Sequence, residues 1–196
     1  MSATTETDVV RRSARERLLE AANDLFYAEG VQTVGIDRII EAAGVAKASL
    51  YNTFGSKEAL VRAYLERRHQ GTVSRLRRAM AHVSDPRERI LAVFDAQAEF
   101  FAEPGFRGCA FTAASAEAPP GGQIEAATED YRHDLYSLFL ELTGEAGAHD
   151  PESLARQLHL IYDGAGMTAR LDHDPTIART ARAAVQTLLD AAIPAR

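Results

Sequence analysis

Residues 30–60 read GVQTVGIDRIIEAAGVAKASLYNTFGSKEAL. This stretch predicts two short helices joined by a tight corner at residues 43–45, and a further helix that starts near Ser56. The first short helix carries an apolar face of isoleucines, at positions 36, 39 and 40. The second carries apolar residues spaced to pack back onto that face, namely Val45, Leu50 and Phe54.

The outward side of the second short helix holds small and hydrogen-bonding side chains, at Lys47, Ala48, Ser49, Tyr51 and Asn52. A helix that enters the major groove of DNA needs such side chains, because it must approach the base edges closely and hydrogen-bond to them. The two short helices are therefore interpreted as a helix-turn-helix, with the second as the recognition helix.

The segment from residue 14 to residue 61 closely resembles the N-terminal DNA-binding domain of the TetR family of bacterial transcription regulators. The resemblance rests on many residues at fixed spacing, far more than one short motif. They are Phe26, Tyr27, Gly30, Ile39, Ala43, Gly44, Val45, Lys47, Leu50, Tyr51, Phe54, Lys57, Glu58 and Leu60. Elsewhere the chain agrees with the family only in its length and helical character.

The resemblance implies roles for individual residues. Lys47 is expected to contact a base edge or a phosphate, and Ala48 to meet a thymine methyl group. Ser49 and Asn52 are expected to hydrogen-bond in the groove. The phosphate contacts, which set the register of a protein on DNA, are expected from Tyr51, Thr53 and Lys57.

Three positions depart from the family pattern. Gly35 stands where Ser or Thr is usual at the start of the first short helix, yet glycine is an acceptable N-cap and its N–H is expected to approach a phosphate. Ala46 replaces the usual Ser of the turn, and Thr53 stands where His is common. These departures alter single contacts and leave the predicted DNA-binding fold unchanged.

The formal net charge of −6 is unevenly distributed. Residues 1–80 carry 13 Lys and Arg against 10 Asp and Glu, whereas residues 81–196 carry 9 against 18. Acidic charge is thus segregated away from the predicted DNA-binding end. Arginines at positions 11, 12, 15 and 17 cluster at the start of the first helix. They fit either a solvated tail or an arm that contacts phosphates.

The remaining composition predicts a cytoplasmic protein without a membrane partner. The chain has no run of about 18 apolar residues, and its N-terminus lacks the apolar core of a secretory signal. The single Cys109 forms no intrachain disulfide. The six histidines show no metal-ligand spacing, and no nucleophile–base pair is present. We therefore expect no metal, no cofactor and no enzymatic activity.

Helical spacing predicts an all-α fold. The first helix is expected from about Ser13 to Glu29, and the fourth from Ser56 to about Ala81. Later helices are expected after Pro86, from about residue 123 to 145, and from near Pro151 and residue 176. Three regions are predicted: a flexible N-terminal tail at residues 1–12, a helix-turn-helix DNA-binding domain at 13–60, and a larger effector-binding and dimerisation domain at 61–196.

The resemblance implies that the C-terminal region forms a dimer, and two apolar stripes there fit the seam of such a dimer. They comprise Leu154, Leu158, Ile161 and Ala165, then Ala181, Ala184, Val185 and Leu188. Two stripes from each subunit make a four-helix interface about a two-fold axis, which is the symmetry that a palindromic operator requires. The alternative is that both stripes belong to the core of one chain.

Aromatic residues concentrate in the region of the fourth to eighth helices, where the resemblance implies an effector pocket. An apolar cavity with a few polar groups is the usual site for a small molecule. The predicted ligand contacts are Phe94, Gln97, Phe101, Phe111, Tyr131, Leu135 and Tyr162. Hydrophobic core is the alternative for each of them.

Together these features predict a ligand-responsive transcriptional regulator. In the leading interpretation it is a repressor that binds double-stranded palindromic operator DNA as a homodimer and is released by a small apolar or aromatic effector. One alternative is an activator or dual regulator. Another is a small-molecule binding protein without DNA binding, although Lys47, Tyr51 and Lys57 argue against it.

Overall fold

The computed structural model describes residues 12–194, and within that range the regular structure is helical, with no strand. The predicted all-α fold is confirmed for this part of the chain. The helices are α1 (Ala14–Glu29), α2 (Ile36–Ala43), α3 (Lys47–Phe54), α4 (Lys57–Met80), α5 (Pro86–Phe101), α6 (Ala110–Glu117), α7 (Gln123–Glu145), α8 (Pro151–Asp172) and α9 (Ile177–Ala192).

The chain divides into two compact units, Met1–Tyr64 and Leu65–Arg196. Of the tail predicted at residues 1–12, only Arg12 lies within the described residues. None of the helices found between residues 12 and 194 is long and apolar enough to cross a membrane.

Helix α1 begins at a side-chain cap. Ser13 Oγ accepts a hydrogen bond from the N–H of Glu16 at 3.2 Å, and Glu16 Oε2 accepts one from the N–H of Ser13 at 2.8 Å. This reciprocal arrangement satisfies N–H groups that a helix start leaves without partners. The inner face of α1 buries Leu18 and Phe26, and the ring of Phe26 lies 5.5 Å from that of Tyr64.

The corner between α2 and α3 depends on Gly44. Its backbone is left-handed, with φ 60° and ψ 42°, a conformation that glycine adopts without steric cost. The carbonyl of Gly44 accepts a hydrogen bond from Arg17 at 3.1 Å. Ile39 before the corner and Leu50 after it are fully buried. The turn therefore packs one side of α3 onto the unit and leaves the other side open.

The described arginines near the N-terminus have partners within the first unit. Arg12 pairs with Glu20, and Arg17 bonds to Gly44. The guanidinium carbon of Arg15 lies 5.6 Å from the centroid of the Phe54 ring. These contacts favour local packing over a phosphate-contacting arm. Arg11 lies outside the described residues.

The second unit packs around an aromatic core. Helix α7 lies against α5, α6 and α8, and α9 lies against α5 and α8. Phe94 and Phe139 are fully buried, with ring centroids 6.0 Å apart, and the Tyr162 ring lies 6.0 Å from each of them. Such stacked and edge-to-face arrangements stabilise aromatic cores beyond simple burial of area.

Candidate functional site

The outer side of α3 carries half of the predicted DNA-binding residues. Lys47, Ala48, Tyr51 and Asn52 are exposed, whereas Leu50 between them is fully buried. Burial of Leu50 fixes the rotation of the helix about its axis, so the four exposed side chains point away from the core. We call these four residues the α3 face.

Asp37 of α2 forms an ion pair with Lys47 at the edge of the α3 face. The Nζ atom of Lys47 lies 2.9 Å from Oδ1 of Asp37. The hydrogen bond to Asp37 and the charge of that residue raise the pKa of Lys47 above its usual value. Lys47 is therefore charged at neutral pH, and a phosphate that binds it must compete with a carboxylate. Sequence reasoning missed Asp37, which lies on a different helix.

Two other residues of α3 that were predicted to contact DNA are less free to hydrogen-bond with it. Ser49 is half-buried. The hydroxyl of Thr53 is exposed but donates to the carbonyl of Ser49 at 2.6 Å. Because a phosphate oxygen can only accept a hydrogen bond, Thr53 must break this bond before it can donate to DNA. The structure therefore does not present the Thr53 hydroxyl as a free donor.

Gly35 and Lys57 lie at the starts of other helices in the same unit. Gly35 is the exposed N-cap of α2, and no side chain caps that end. Lys57 is the first residue of α4, and its Nζ donates to the carbonyl of Gln32 at 3.4 Å. A helix start exposes N–H groups and the positive end of the helix dipole, so both positions suit a phosphate.

Most of the predicted dimer seam lies inside one protomer. Leu154, Leu158, Ala165, Ala181 and Val185 are buried in the core of their own chain, so they offer no surface to a second copy. Of the others, Ile161 and Leu188 are half-buried and Ala184 is exposed. Within one protomer these five residues of the two apolar stripes face the interior, and the dimer seam stays a prediction.

A different stripe of α8 is exposed. Leu160, Met167 and Leu171 keep 74%, 46% and 67% of their surface accessible. With the exposed Gly164 they recur at steps of four, three and four residues, which places them along one side of the helix. We call these residues the α8 stripe. Their periodicity was visible in the sequence, but it overlaps that of the buried stripe.

The seven predicted ligand residues fall into two groups: five are buried in the core, and two line a groove. Phe94, Gln97, Phe101, Phe111 and Tyr162 are buried and do not line the groove described next. Tyr131 and Leu135 do line it. The groove, of about 470 Å³, is lined by His69, Thr72, Val73, Leu76, Arg77, Met80, Arg89, Tyr131, Asp134, Leu135, Ser137, Leu138 and Glu141.

The groove between α4 and α7 has the size and lining of a small-molecule site. Ligand pockets commonly enclose roughly 300–1,000 Å³ and combine apolar walls with a few polar groups. Leu76, Met80 and Leu138 supply apolar wall, and His69 Nε2 lies 3.1 Å from Asp134 Oδ2. The sequence predicted a pocket among the fourth to eighth helices; this groove is lined by residues of α4, α5 and α7, and of these residues only Tyr131 and Leu135 were predicted ligand contacts.

Comparison with known proteins agrees with the geometry of the first unit. The family described as "Bacterial regulatory proteins, tetR family" matches residues 18–64. The solved structure of a TetR-family transcriptional regulator from Streptomyces coelicolor is similar to the whole fold, with a TM-score of 0.88 and 32% identity. That similarity covers 92% of this chain and 96% of the Streptomyces chain.

Curated relatives include an activator and a repressor. The HTH-type transcriptional activator FasR of Mycolicibacterium smegmatis is 32% identical over 136 residues, which are 68% of this chain and only 62% of FasR. The HTH-type transcriptional repressor NemR of Escherichia coli is 33% identical over 105 residues, 53% of each chain. All are named as transcriptional regulators, which confirms the expectation of a regulator rather than an enzyme.

Proposed function

The chain belongs to the TetR family of bacterial transcription regulators, and we propose that it is a ligand-responsive repressor that binds a palindromic operator as a homodimer. The α3 face carries this proposal. A short helix that buries Leu50 and exposes Lys47, Tyr51 and Asn52 has the form of a recognition helix that can enter a major groove.

We assign the DNA contacts to two classes. Asn52 and Ala48 face outward and are suited to base edges, where an amide reads adenine and a methyl group meets thymine. Tyr51, Lys57 and the start of α2 at Gly35 are suited to phosphates, which position the protein without reading sequence. Lys47 is suited to a base edge or to a phosphate once its ion pair with Asp37 is broken.

The α8 stripe is the proposed dimer surface, and its occupant is a second copy of the chain. Within residues 12–194, the large exposed hydrophobic residues are Tyr51 of the α3 face and the three of the α8 stripe. An apolar stripe of this kind favours association, because it removes hydrophobic surface from water. A two-fold dimer presents two recognition helices to half-sites about 34–36 Å apart.

The groove between α4 and α7 is the proposed effector site. Its volume of about 470 Å³ accommodates a small apolar or aromatic molecule. A ligand releases DNA only if it binds the DNA-free state more tightly than the DNA-bound state. Regulation of this kind takes place in the cytoplasm, where the operator is accessible.

The test is binding of the purified protein to DNA from upstream of its own gene, measured by fluorescence anisotropy. We expect specific binding that is lost when Tyr51 and Asn52 are both changed to alanine. Gln123→Ala, at an exposed position of the second unit, serves as the control and keeps wild-type affinity. Absence of specific binding by the wild-type protein contradicts the proposal for that DNA. A promoter–reporter assay then separates repression from the activation for which FasR is named.

A further inference from the structure

Arg75 of α4 is half-buried and has no acidic partner among the described residues. Its Nε atom is buried and makes no hydrogen bond. A terminal nitrogen donates to Thr72 Oγ1 at a long 3.5 Å, and the guanidinium carbon lies 4.1 Å from the centroid of the Phe100 ring. The positive charge of Arg75 also acts on Tyr162 and opposes the rise in the pKa of that tyrosine. Within the described residues, no Asp or Glu forms an ion pair with it.

The acidic residue that acts electrostatically on the same side chains as Arg75 already has another partner. Asp163 acts on the same tyrosine side chains as Arg75, but its Oδ2 atom accepts a hydrogen bond from Arg132 at 2.6 Å. A charge withdrawn from water is costly unless a countercharge or hydrogen bonds compensate it. Arg75 is therefore compensated by Thr72 and the Phe100 ring, and no carboxylate among the described residues forms an ion pair with it.

A second polar atom near Tyr162 also lacks a partner. Gln97 is buried, and its Nε2 donates to the carbonyl of Tyr162 at 2.8 Å, which fixes the orientation of the amide. Its Oε1 is buried without a hydrogen bond. Buried polar groups in folded proteins are nearly always satisfied. Two such atoms, one on Gln97, which bonds to Tyr162, and one on Arg75, whose charge acts on Tyr162, therefore indicate a place for a polar ligand.

The tyrosines of this region supply neutral donors. Burial raises the pKa of Tyr131 well above its usual value and also raises that of Tyr162, while the charge of Arg75 acts in the opposite direction on both. Both hydroxyls therefore remain protonated at neutral pH. Tyr131 and Thr72 also line the groove between α4 and α7; Arg75 is not part of the lining, but it donates to Thr72 Oγ1 at the groove wall.

We propose that the effector is an organic acid whose carboxylate binds Arg75 while its apolar body occupies the groove. A guanidinium matches a carboxylate because its planar N–H donors can bond to both oxygens. The inference rests on the proposed function, since it names the chemical class of the effector for that site. A neutral apolar effector leaves Arg75 without a countercharge and is disfavoured.

The test compares acids with their amides. Benzoate and octanoate are titrated against the dimeric protein by calorimetry, beside benzamide and octanamide. We expect at least one acid to bind about 10-fold or more tightly than its amide, because hydrogen bonds to charged groups are the strong ones. Arg75→Gln should abolish this preference. Arg78→Gln, an exposed position on the same helix with the same change of charge, should retain it.

Two results overturn the inference: no acid is preferred over its amide by the wild-type protein, or the preference persists in Arg75→Gln. If Arg75→Gln fails to fold, Arg75 has a structural role, and Arg75→Lys then decides. This variant keeps a charge but not the planar fork, so it should keep a weakened preference for the acid. Operator binding is measured in parallel. Failure of operator binding alone contradicts the proposed function, whereas loss of the acid preference alone contradicts this inference.

Discussion

Lys47 and Asp37 form an ion pair at the edge of the recognition helix, with the Nζ atom 2.9 Å from Oδ1. The carboxylate lies beside the amine that we expect to contact DNA. Both side chains are exposed, so water and salt screen the pair and its effect on folding is small. Its effect on DNA binding is larger, because the same carboxylate repels the phosphates that the amine attracts.

The first prediction is that Asp37→Asn tightens DNA binding. The variant frees Lys47 and removes a negative charge from the surface. If Lys47 then neutralises one more phosphate, the slope of log affinity against log salt should steepen by about 0.9. Anisotropy titrations at several salt concentrations measure both quantities. Asp130→Asn makes the same change of charge at an exposed position of α7, and it should leave the slope unaltered. Equal behaviour of the two variants would show that Asp37 does not compete with DNA.

The second prediction concerns the uncapped start of α3. Ala46 has the extended backbone of an N-cap, with φ −73° and ψ 150°, but no side chain caps the helix there. In the Ala46→Ser variant, the new hydroxyl oxygen should accept a hydrogen bond from a backbone N–H of the first turn that has no partner within the helix. This cap should stabilise the protein by about 1 kcal/mol. Urea unfolding measures this change. Ala48→Ser places the same side chain inside the helix, where it should be neutral or slightly destabilising. Equal stabilities of the Ala46→Ser and wild-type proteins would argue against the cap.

Local signals made the helix-turn-helix predictable. The corner needs Gly44 because its backbone is left-handed, and the starts of α1 and α4 carry Ser13 and Ser56 at the positions where capping residues belong. These interactions join residues a few positions apart, so they can be inferred from the local sequence. The predicted bounds accordingly lie close to the observed ones. Helix α1 begins one residue later than predicted, and α4 begins one residue later and ends one residue earlier.

Contacts between distant residues were not predictable in the same way. Helix α8 has two apolar sides, and periodicity alone does not show that Leu158 faces the core of its own chain while Leu160 faces outward. Arg75 looked like one more basic residue of a polar helix. Only the fold places its guanidinium over the ring of Phe100, which follows it by 25 positions.

The third prediction separates the two classes of DNA contact. Lys57→Ala should weaken binding to specific and random duplexes alike and reduce the salt slope by about 1, because Lys57 is assigned to a phosphate. Asn52→Ala should instead reduce the preference for the operator, because Asn52 is assigned to a base edge. Both variants are titrated on both duplexes. A change of sequence preference in Lys57→Ala with an unchanged salt slope would reverse its assignment.

The fourth prediction is that Leu160→Glu combined with Leu171→Glu yields folded monomers. The two side chains are exposed in the protomer, so the substitutions should not disturb its core. In a dimer the two introduced carboxylates would be buried without a countercharge, which is strongly unfavourable. Light scattering measures the mass, and circular dichroism checks the fold. Ala113→Glu with Ala116→Glu adds the same charge on exposed positions of α6 and should remain dimeric. Persistence of the dimer in the α8 variant would place the interface elsewhere.

Ala165→Glu should behave differently from the α8 variant. Ala165 is 6% exposed and belongs to the core of its own chain. A carboxylate there lacks both water and a partner, so the protein should lose helical signal and aggregate rather than dissociate into folded monomers. Comparison of the two variants by circular dichroism therefore distinguishes the inward stripe of α8 from the outward one.

The final prediction follows from the monomeric variant. A dimer that has bound one half-site holds its second recognition helix near the other half-site at a high effective concentration. Loss of dimerisation should therefore weaken binding to the full operator by about 10²- to 10⁴-fold, although no DNA-contacting residue is altered. Binding to an isolated half-site should stay close to that of one wild-type subunit. Titration of both duplexes with the Leu160→Glu, Leu171→Glu protein measures the two effects. If the monomer bound the full operator as tightly as the dimer does, each subunit would recognise DNA alone, and the palindromic operator would no longer be required.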